Sequence, residues 1–224
     1  MGRDNSPWVR QRKQLERKLA RRASYDRILI VSEGSKTEPN YFTEIRSEYR
    51  LQTANVEVRR CDRGTAPIQV VEHARDLFEQ GDRHRGIQPR AFEHVYAVFD
   101  RDDHESYTAA LRQAEALNGK LRNDLKQPVK FVATASIPSF ELWLLLHFED
   151  ILAPIHRDEV LRRLKKRLPG YEKGADGIFK ATRDLVGDAT RRADHLAAQF
   201  TAYDDPQPYT AVVDLVKLLM GLRG

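Results

Sequence analysis

The sequence predicts an α/β fold: a mostly parallel sheet flanked by helices, with a helical C-terminal extension. Three observations carry it. Short apolar runs such as "ILIV" and "HVYAVF" suit strands buried on both faces, amphipathic helical stretches alternate with them, and the pattern turns purely helical after Arg157.

Taken in order, residues 1–23 form a basic arm in which Leu15 and Leu19 are spaced for one weakly amphipathic helix. Arg27 to Ser32 reads as a central parallel strand, because its "ILIV" run is β-branched and apolar on both faces. Pro39 fits the first turn of the next helix, whose apolar face is Tyr41, Phe42, Ile45 and Tyr49. Val56 and Val58 alternate as a second strand, and Pro67 opens a helix carrying Ile68, Val71, Ala74, Leu77 and Phe78. Residues 94–100 form a third strand, followed by a helix over Tyr107–Leu117, a strand at 129–133 and, after Pro138, the helix "SFELWLLLHF". That last helix is apolar almost all round, which places Trp143, Leu144, Leu145, Leu146 and Phe148 in the core with His147 beside them. Beyond Arg157, Asp158 is expected to cap a basic helix with Val160, Leu161, Leu164 and Leu168 on its apolar face. A long helical stretch then runs from the "YEKGADG" break to about Tyr203, and Thr210 is expected to cap a final helix through "AVVDLVKLLM". The organisation is therefore an arm (1–23), an α/β core (24–150) and a helical part packed on that core (151–224).

With 224 residues, the chain makes one compact unit with a sizeable core. No run approaches the roughly 18 apolar residues of a membrane span, and the N-terminus has no apolar signal region. A single cysteine, Cys61, rules out an internal disulfide and a cysteine-rich zinc site, which fits a reducing cytoplasm. The net charge is +5, and Arg10, Arg12, Lys13, Arg17, Lys18, Arg21 and Arg22 crowd the arm. Such a face suits a polyanion such as nucleic acid; the plain alternative is a solvated tail that aids solubility.

In open α/β sheets the working crevice lies beyond the carboxyl ends of the strands, so the residues just past each apolar run are the ones that matter. Glu33 and Gly34 follow "ILIVS", and Asp100, Arg101, Asp102 and Asp103 follow "VYAVF". Asp100 and Asp102 can aim oxygens at one centre, and Mg²⁺ prefers such hard ligands; ordinary capping and turn chemistry explains the same residues without a metal. Gly34 permits a tight turn and leaves room for a phosphate. Glu141 opens a buried helix, where it either caps the N-terminus or points into the crevice. Lys36 and Arg101 are close enough in sequence to face a phosphate, or are surface charges, and His104 is a loop histidine that either orients a water or is simply solvated. On the helix "RRLKKRL", Arg162, Lys165 and Lys166 contact a nucleic-acid backbone or form a solvated face.

A Glu-Gly after the first strand with an Asp-x-Asp after a later one resembles the Toprim catalytic domain of topoisomerases, primases and OLD-type nucleases. From about residue 24 the likeness widens. "ILIVSEGSKTEPNYF", "VFDRDDH", "IPSFELWLLLHFED", "LPGYEKGADGIF" and "PYTAVVDLV", in this order, resemble the RloB family of bacterial restriction and abortive-infection loci, related to the AbiL second component. The resemblance implies a Toprim-like core in which Glu33 is an acid/base or metal ligand and Asp100 and Asp102 hold Mg²⁺ or Mn²⁺, with Asp103 an extra acid. It further implies that Glu38 and Glu141 match additional acids of the OLD-like version, and Lys173 a late basic residue that neutralises developing charge. Two departures stand out: Ser35 replaces a frequent acid, and "IPSFE" replaces an asparagine-proline-cysteine form.

The expected function is a Mg²⁺-dependent nuclease, acting on RNA (tRNA among the candidates) or DNA as effector of an antiphage system. An ATPase partner subunit is implied by the loci of relatives, and no phosphate-binding glycine-rich motif for ATP occurs here. Two other readings stand beside it: a phosphoryl or nucleotidyl transferase on a small nucleotide, and a non-catalytic nucleic-acid-binding subunit. A homodimer through the helical C-terminal half is compatible with the sequence but not demanded by it.

Overall fold

The computed structural model describes residues 26–34, 36–52, 55–101, 105–204 and 207–222. The basic arm, Ser35, and the loop residues Asp102, Asp103 and His104 lie outside this set.

Five strands form one sheet in the order β2-β1-β3-β4-β5. They are β1 (Ile28–Ser32), β2 (Val56–Arg60), β3 (His94–Asp100), β4 (Lys130–Ile137) and β5 (Tyr209–Thr210). The first four run parallel and β5 is antiparallel to β4. All five residues of β1 are buried, as expected of a strand covered on both faces. Ile28 and Ile30 face a layer built from α1 (Thr37–Glu48), α4 (Glu141–Leu145), α5 (Arg157–Arg167), α6 (Ile178–Thr182), α7 (Val186–Ala197) and α8 (Val212–Gly221). Leu29 and Val31 face α2 (Pro67–Gln80) and α3 (Tyr107–Leu117). The alternation along the strand thus sorts helices to the two sides of the sheet.

The chain leaves β1 for β2 through α1 on one face, then crosses to β3, on the other side of β1, through α2 on the opposite face. Strand order therefore reverses between β1 and β3, which makes their carboxyl ends the switch point where α/β sheets open a crevice.

Several elements differ from the sequence reading. β4 runs on to Ile137 because β3 pairs with it as far as Ser136 and β5 pairs with its last residues, Ser136 with Thr210 and Ile137 with Tyr209. The two hydroxyls bond to each other at 3.0 Å, so two buried polar side chains satisfy one another. The region after Arg157 is thus not purely helical. The apolar helix after Pro138 keeps only Glu141–Leu145, since His147 and Phe148 donate to carbonyls three residues back and tighten the turn. Between α6 and α7 lies a 3₁₀ turn, Arg183–Leu185, reached where the Thr182 hydroxyl donates to the Ile178 carbonyl at 2.8 Å. The cap of α5 is His156, whose Nδ1 accepts from the Asp158 backbone, and not Asp158. Thr210 does reach the start of α8, accepting from the Val212 N–H at 3.3 Å, although the capping position itself is Ala211.

The core layer under α1 is aromatic. Tyr41 lies edge-on to Phe42, Phe140 and Phe179, and its hydroxyl accepts the Trp143 indole N–H at 2.8 Å. His147 lies edge-on to the Trp143 ring and its Nδ1 bonds the Trp143 carbonyl at 3.0 Å, while Nε2 is buried without a partner among the described residues. Burial holds this imidazole neutral, with its pKa lowered to about 4. Below about pH 6.5 the unfolded chain gains a proton that the folded chain refuses until about pH 4, so stability falls as pH drops through that window. The expected loss from His147 between pH 7 and pH 5 is about 2 kcal/mol. Urea melts of the parent and His147→Gln at both pH values check it; the variant should show a shallower fall.

Candidate functional site

β1 and β3 deliver their acids to one place. Register places Ser32 beside both Arg60 and Val98, and the Glu33 N–H continues the ladder by donating to the Val98 carbonyl at 2.8 Å. Glu33 Oε2 accepts the Asp100 backbone N–H at 3.0 Å. Asp100 Oδ1 in turn accepts the Phe140 N–H at 2.8 Å, just ahead of α4. These bonds fix both carboxylates at the switch point between the strands.

A third acid comes from α1. Glu38 is buried, and its carboxylate lies directly over Gly34: a Cβ built on that glycine would meet Glu38 Oε2 at 1.6 Å. A larger residue here would push the Glu38 side chain aside, so in this structure the room over Gly34 is taken by a carboxylate. Burial, with the charges of Glu141 and Glu33, raises the Glu38 pKa to about 7 against the opposing pull of a backbone hydrogen bond and, less, of Lys173.

Glu141 is the fourth. Its Oε2 accepts the Ser139 hydroxyl at 2.7 Å, and its Oε1 accepts the Tyr171 hydroxyl at 3.2 Å and lies 3.2 Å from Lys173 Nζ. Burial beside this carboxylate pushes the Tyr171 hydroxyl far above the ordinary phenol range, so it stays protonated and donating. The side chain points into the crevice and is gripped on both oxygens, which decides between the two roles the sequence allowed it.

Together Glu33, Gly34, Lys36, Thr37, Glu38, Asp100, Glu141, Arg157, Lys173 and Gly174 line one cavity of about 220 Å³. The structure thus brings Glu33, Gly34, Lys36, Asp100, Glu141 and Lys173 together as the sequence suggests, and Glu38 joins them. Asp102 and Asp103 lie outside the described residues. Arg101 does not line the cavity; its guanidinium donates to the Asp204 carbonyl at 2.9 Å and lies 5.2 Å from the Tyr107 ring centre. Arg162 is exposed on α5 and pairs with Glu159, while Lys165 and Lys166 are exposed on the same helix and away from the cavity lining.

Ser139, Tyr171 and Arg157 carry no site signal in the sequence. Tyr171 stands two residues before Lys173 and is visible as an aromatic in a glycine-rich break, but only the fold shows that it meets Glu141. Arg157 has no local mark beyond opening a basic helix.

The opposite edge of the sheet is a useful contrast. There the buried Arg27 lies between two acids, Glu93 and Asp124, and pairs directly with both. At the carboxyl edge four carboxylates converge on a small cavity whose cations are Lys36, Arg157 and Lys173. Among the described residues no three His, Cys, Asp or Glu side chains form a ready-made metal cage.

An α/β protein with an acidic, lysine-lined crevice at its strand-order switch point is the class that fold and site define. The family model described as RloB-like protein matches residues 28–219, from β1 into α8. The chain belongs to this RloB-like family. No curated protein and no solved structure matches it.

Proposed function

We propose that the protein is a Mg²⁺- or Mn²⁺-dependent nuclease with a Toprim-like site, acting as the effector of an antiphage system under a separate ATPase. The observation that carries this reading is the convergence of Glu33, Glu38, Asp100 and Glu141 on one cavity that Lys36, Arg157 and Lys173 also line.

The donor set suits a divalent ion. All four acids offer hard oxygen ligands, and the upward shift of Glu38, which comes first from burial and then from the charges of Glu141 and Glu33, marks a site that a cation would relieve. Glu33 and Asp100 would hold the ion together with Asp102 and Asp103, which follow Asp100 in the sequence. Once bound, such an ion lowers the pKa of a water and neutralises charge on a phosphoryl oxygen. The chain's own residues do the rest. Lys36 and Arg157 attract and orient the phosphate, Lys173 neutralises charge that develops on the leaving oxygen, and Ser139 and Tyr171 hold Glu141 so that it keeps Lys173 in place.

Cavity size bears on the substrate. About 220 Å³ is smaller than the roughly 300–1,000 Å³ of pockets that enclose a whole small molecule. It accommodates a phosphate and its ions while the remainder of the substrate stays outside, which favours a phosphodiester in a polymer over a free nucleotide.

The test is cleavage of tRNA, single-stranded RNA and plasmid DNA by the purified protein with Mg²⁺, with Mn²⁺ and with EDTA, alone and with any ATPase encoded beside it. Cleavage of one polymer class that EDTA abolishes and Mn²⁺ restores is the expected result. Binding without cleavage under every condition would favour a nucleic-acid-binding subunit. Turnover of free nucleotides alone would favour a transferase.

A further inference from the structure

Lys173 reaches the cavity from a loop between α5 and α6, far along the chain from the acids, and its placement needs an anchor. One face of α1 supplies it. Thr37 Oγ1 accepts the Gly174 N–H at 2.8 Å. Asn40 Nδ2 donates to the Gly174 carbonyl at 3.2 Å and to Asp176 Oδ1 at 2.8 Å. Glu44 takes two backbone donors, Gly177 N–H on Oε1 at 2.6 Å and Phe179 N–H on Oε2 at 2.8 Å. These three residues are spaced three and four apart, so they form one stripe along the helix, while Tyr41, Phe42 and Ile45 face the core.

The stripe binds loop backbone at the residue next to Lys173 and again three residues on. Gly174 also fits against Lys36 so closely that a Cβ there would lie 2.6 Å from the Lys36 Cβ, and its φ is +83°. Backbone bonds to a carboxylate are stronger than neutral ones, which makes Glu44 the main fixing point.

We propose that Thr37, Asn40 and Glu44 are positioning residues that dock the 172–177 loop and the start of α6 on α1, and that this docking is what brings Lys173 to Glu141. The consequence for turnover rests on the nuclease reading; the docking itself does not. The same helix supplies Glu38 to the cavity, so α1 sets the acid and the lysine by one rigid element. Glu44 touches no cavity group and acts only through the loop.

Trypsin cuts after lysine, and Lys173 is followed by Gly174, so limited proteolysis reads loop docking directly. Cleavage there requires local opening. Glu44→Ala leaves two backbone donors without their acceptor and should raise the rate of cutting after Lys173 roughly tenfold or more. Glu44→Gln, which keeps one acceptor oxygen, should fall between. Glu48→Ala is the control, because it removes the pairing of α1 with Arg183 at 2.6 Å but spares the loop. It should cut like the parent. If Glu44→Ala does not fold, Glu44→Gln and Asn40→Ala carry the comparison. Equal cutting after Lys173 in parent, Glu44 and Asn40 variants would overturn the docking.

Turnover on the same proteins separates this from the nuclease reading. Where the parent cleaves nucleic acid, the Glu44 variants should lose kcat roughly tenfold with KM little changed, and an unchanged kcat would overturn the positioning role. Where the parent cleaves nothing, the nuclease reading fails and the proteolysis comparison still decides the docking.

Discussion

Asp100→Asn is expected to lower metal-dependent cleavage roughly a thousandfold, the scale on which removing one charge-handling group from a site acts. Asparagine is the informative replacement. Asp100 Oδ1 accepts the Phe140 N–H at 2.8 Å, and an amide oxygen keeps that bond while removing the negative charge. Alanine would also strand a backbone donor at the start of α4 and confuse folding with chemistry. Single-turnover cleavage under saturating Mg²⁺, with a thermal melt on the same sample, is the measurement. Full activity with an unchanged melt would leave Asp100 as a structural acceptor and move the weight to the nucleic-acid-binding reading.

The largest stability effect is expected from Trp143→Ala. The side chain is wholly buried, and its indole N–H donates to the Tyr41 hydroxyl at 2.8 Å. Truncation removes a large apolar volume and leaves a buried hydroxyl short of a donor, a change worth about 3–5 kcal/mol. For a chain of this size each kcal/mol shifts Tm by roughly 2–4 °C, so a fall on the order of 10 °C is expected by calorimetry. Trp143→Phe should recover most of the packing but not the hydrogen bond. A fall of only a degree or two in the alanine variant would mean that the aromatic layer around Tyr41 repacks.

The strands and their acids were legible because each signal is local. "ILIV" needs only its own four residues to declare a strand covered on both faces, and Glu33 and Asp100 are found by looking just past the end of such a strand. Helix starts were legible where proline marks them, as at Pro67. The features that stayed hidden depend on partners distant in sequence. β4 extends through the polar Thr134 and Ser136 because β3 pairs with both on one side and Thr210 arrives from 74 residues away to satisfy the Ser136 hydroxyl on the other. Likewise Gly34 reads locally as a turn residue with space above it, and only the return of α1 shows that Glu38 fills that space. Tyr171 and Arg157 escape for the same reason: each is ordinary in its own segment and acquires a role from the elements that fold against it.

The short antiparallel strand β5 has a consequence for how the protein survives at high concentration. A parallel sheet that ended in β4 would present a row of unpaired amides on a strand with buried apolar neighbours, a template for another copy to add to. Tyr209 and Thr210 cover the last two residues of β4, and the edge strand on the far side of the sheet is β2, whose last four residues read Glu57, Val58, Arg59, Arg60. Charges at three of those four positions discourage strand addition from a second molecule. Cutting the chain before Tyr209 would therefore bare the carboxyl end of β4 to a second copy and would also remove α8, whose Val212, Val213, Leu215, Val216 and Leu219 belong to the core, so lost stability and precipitation during expression are expected together.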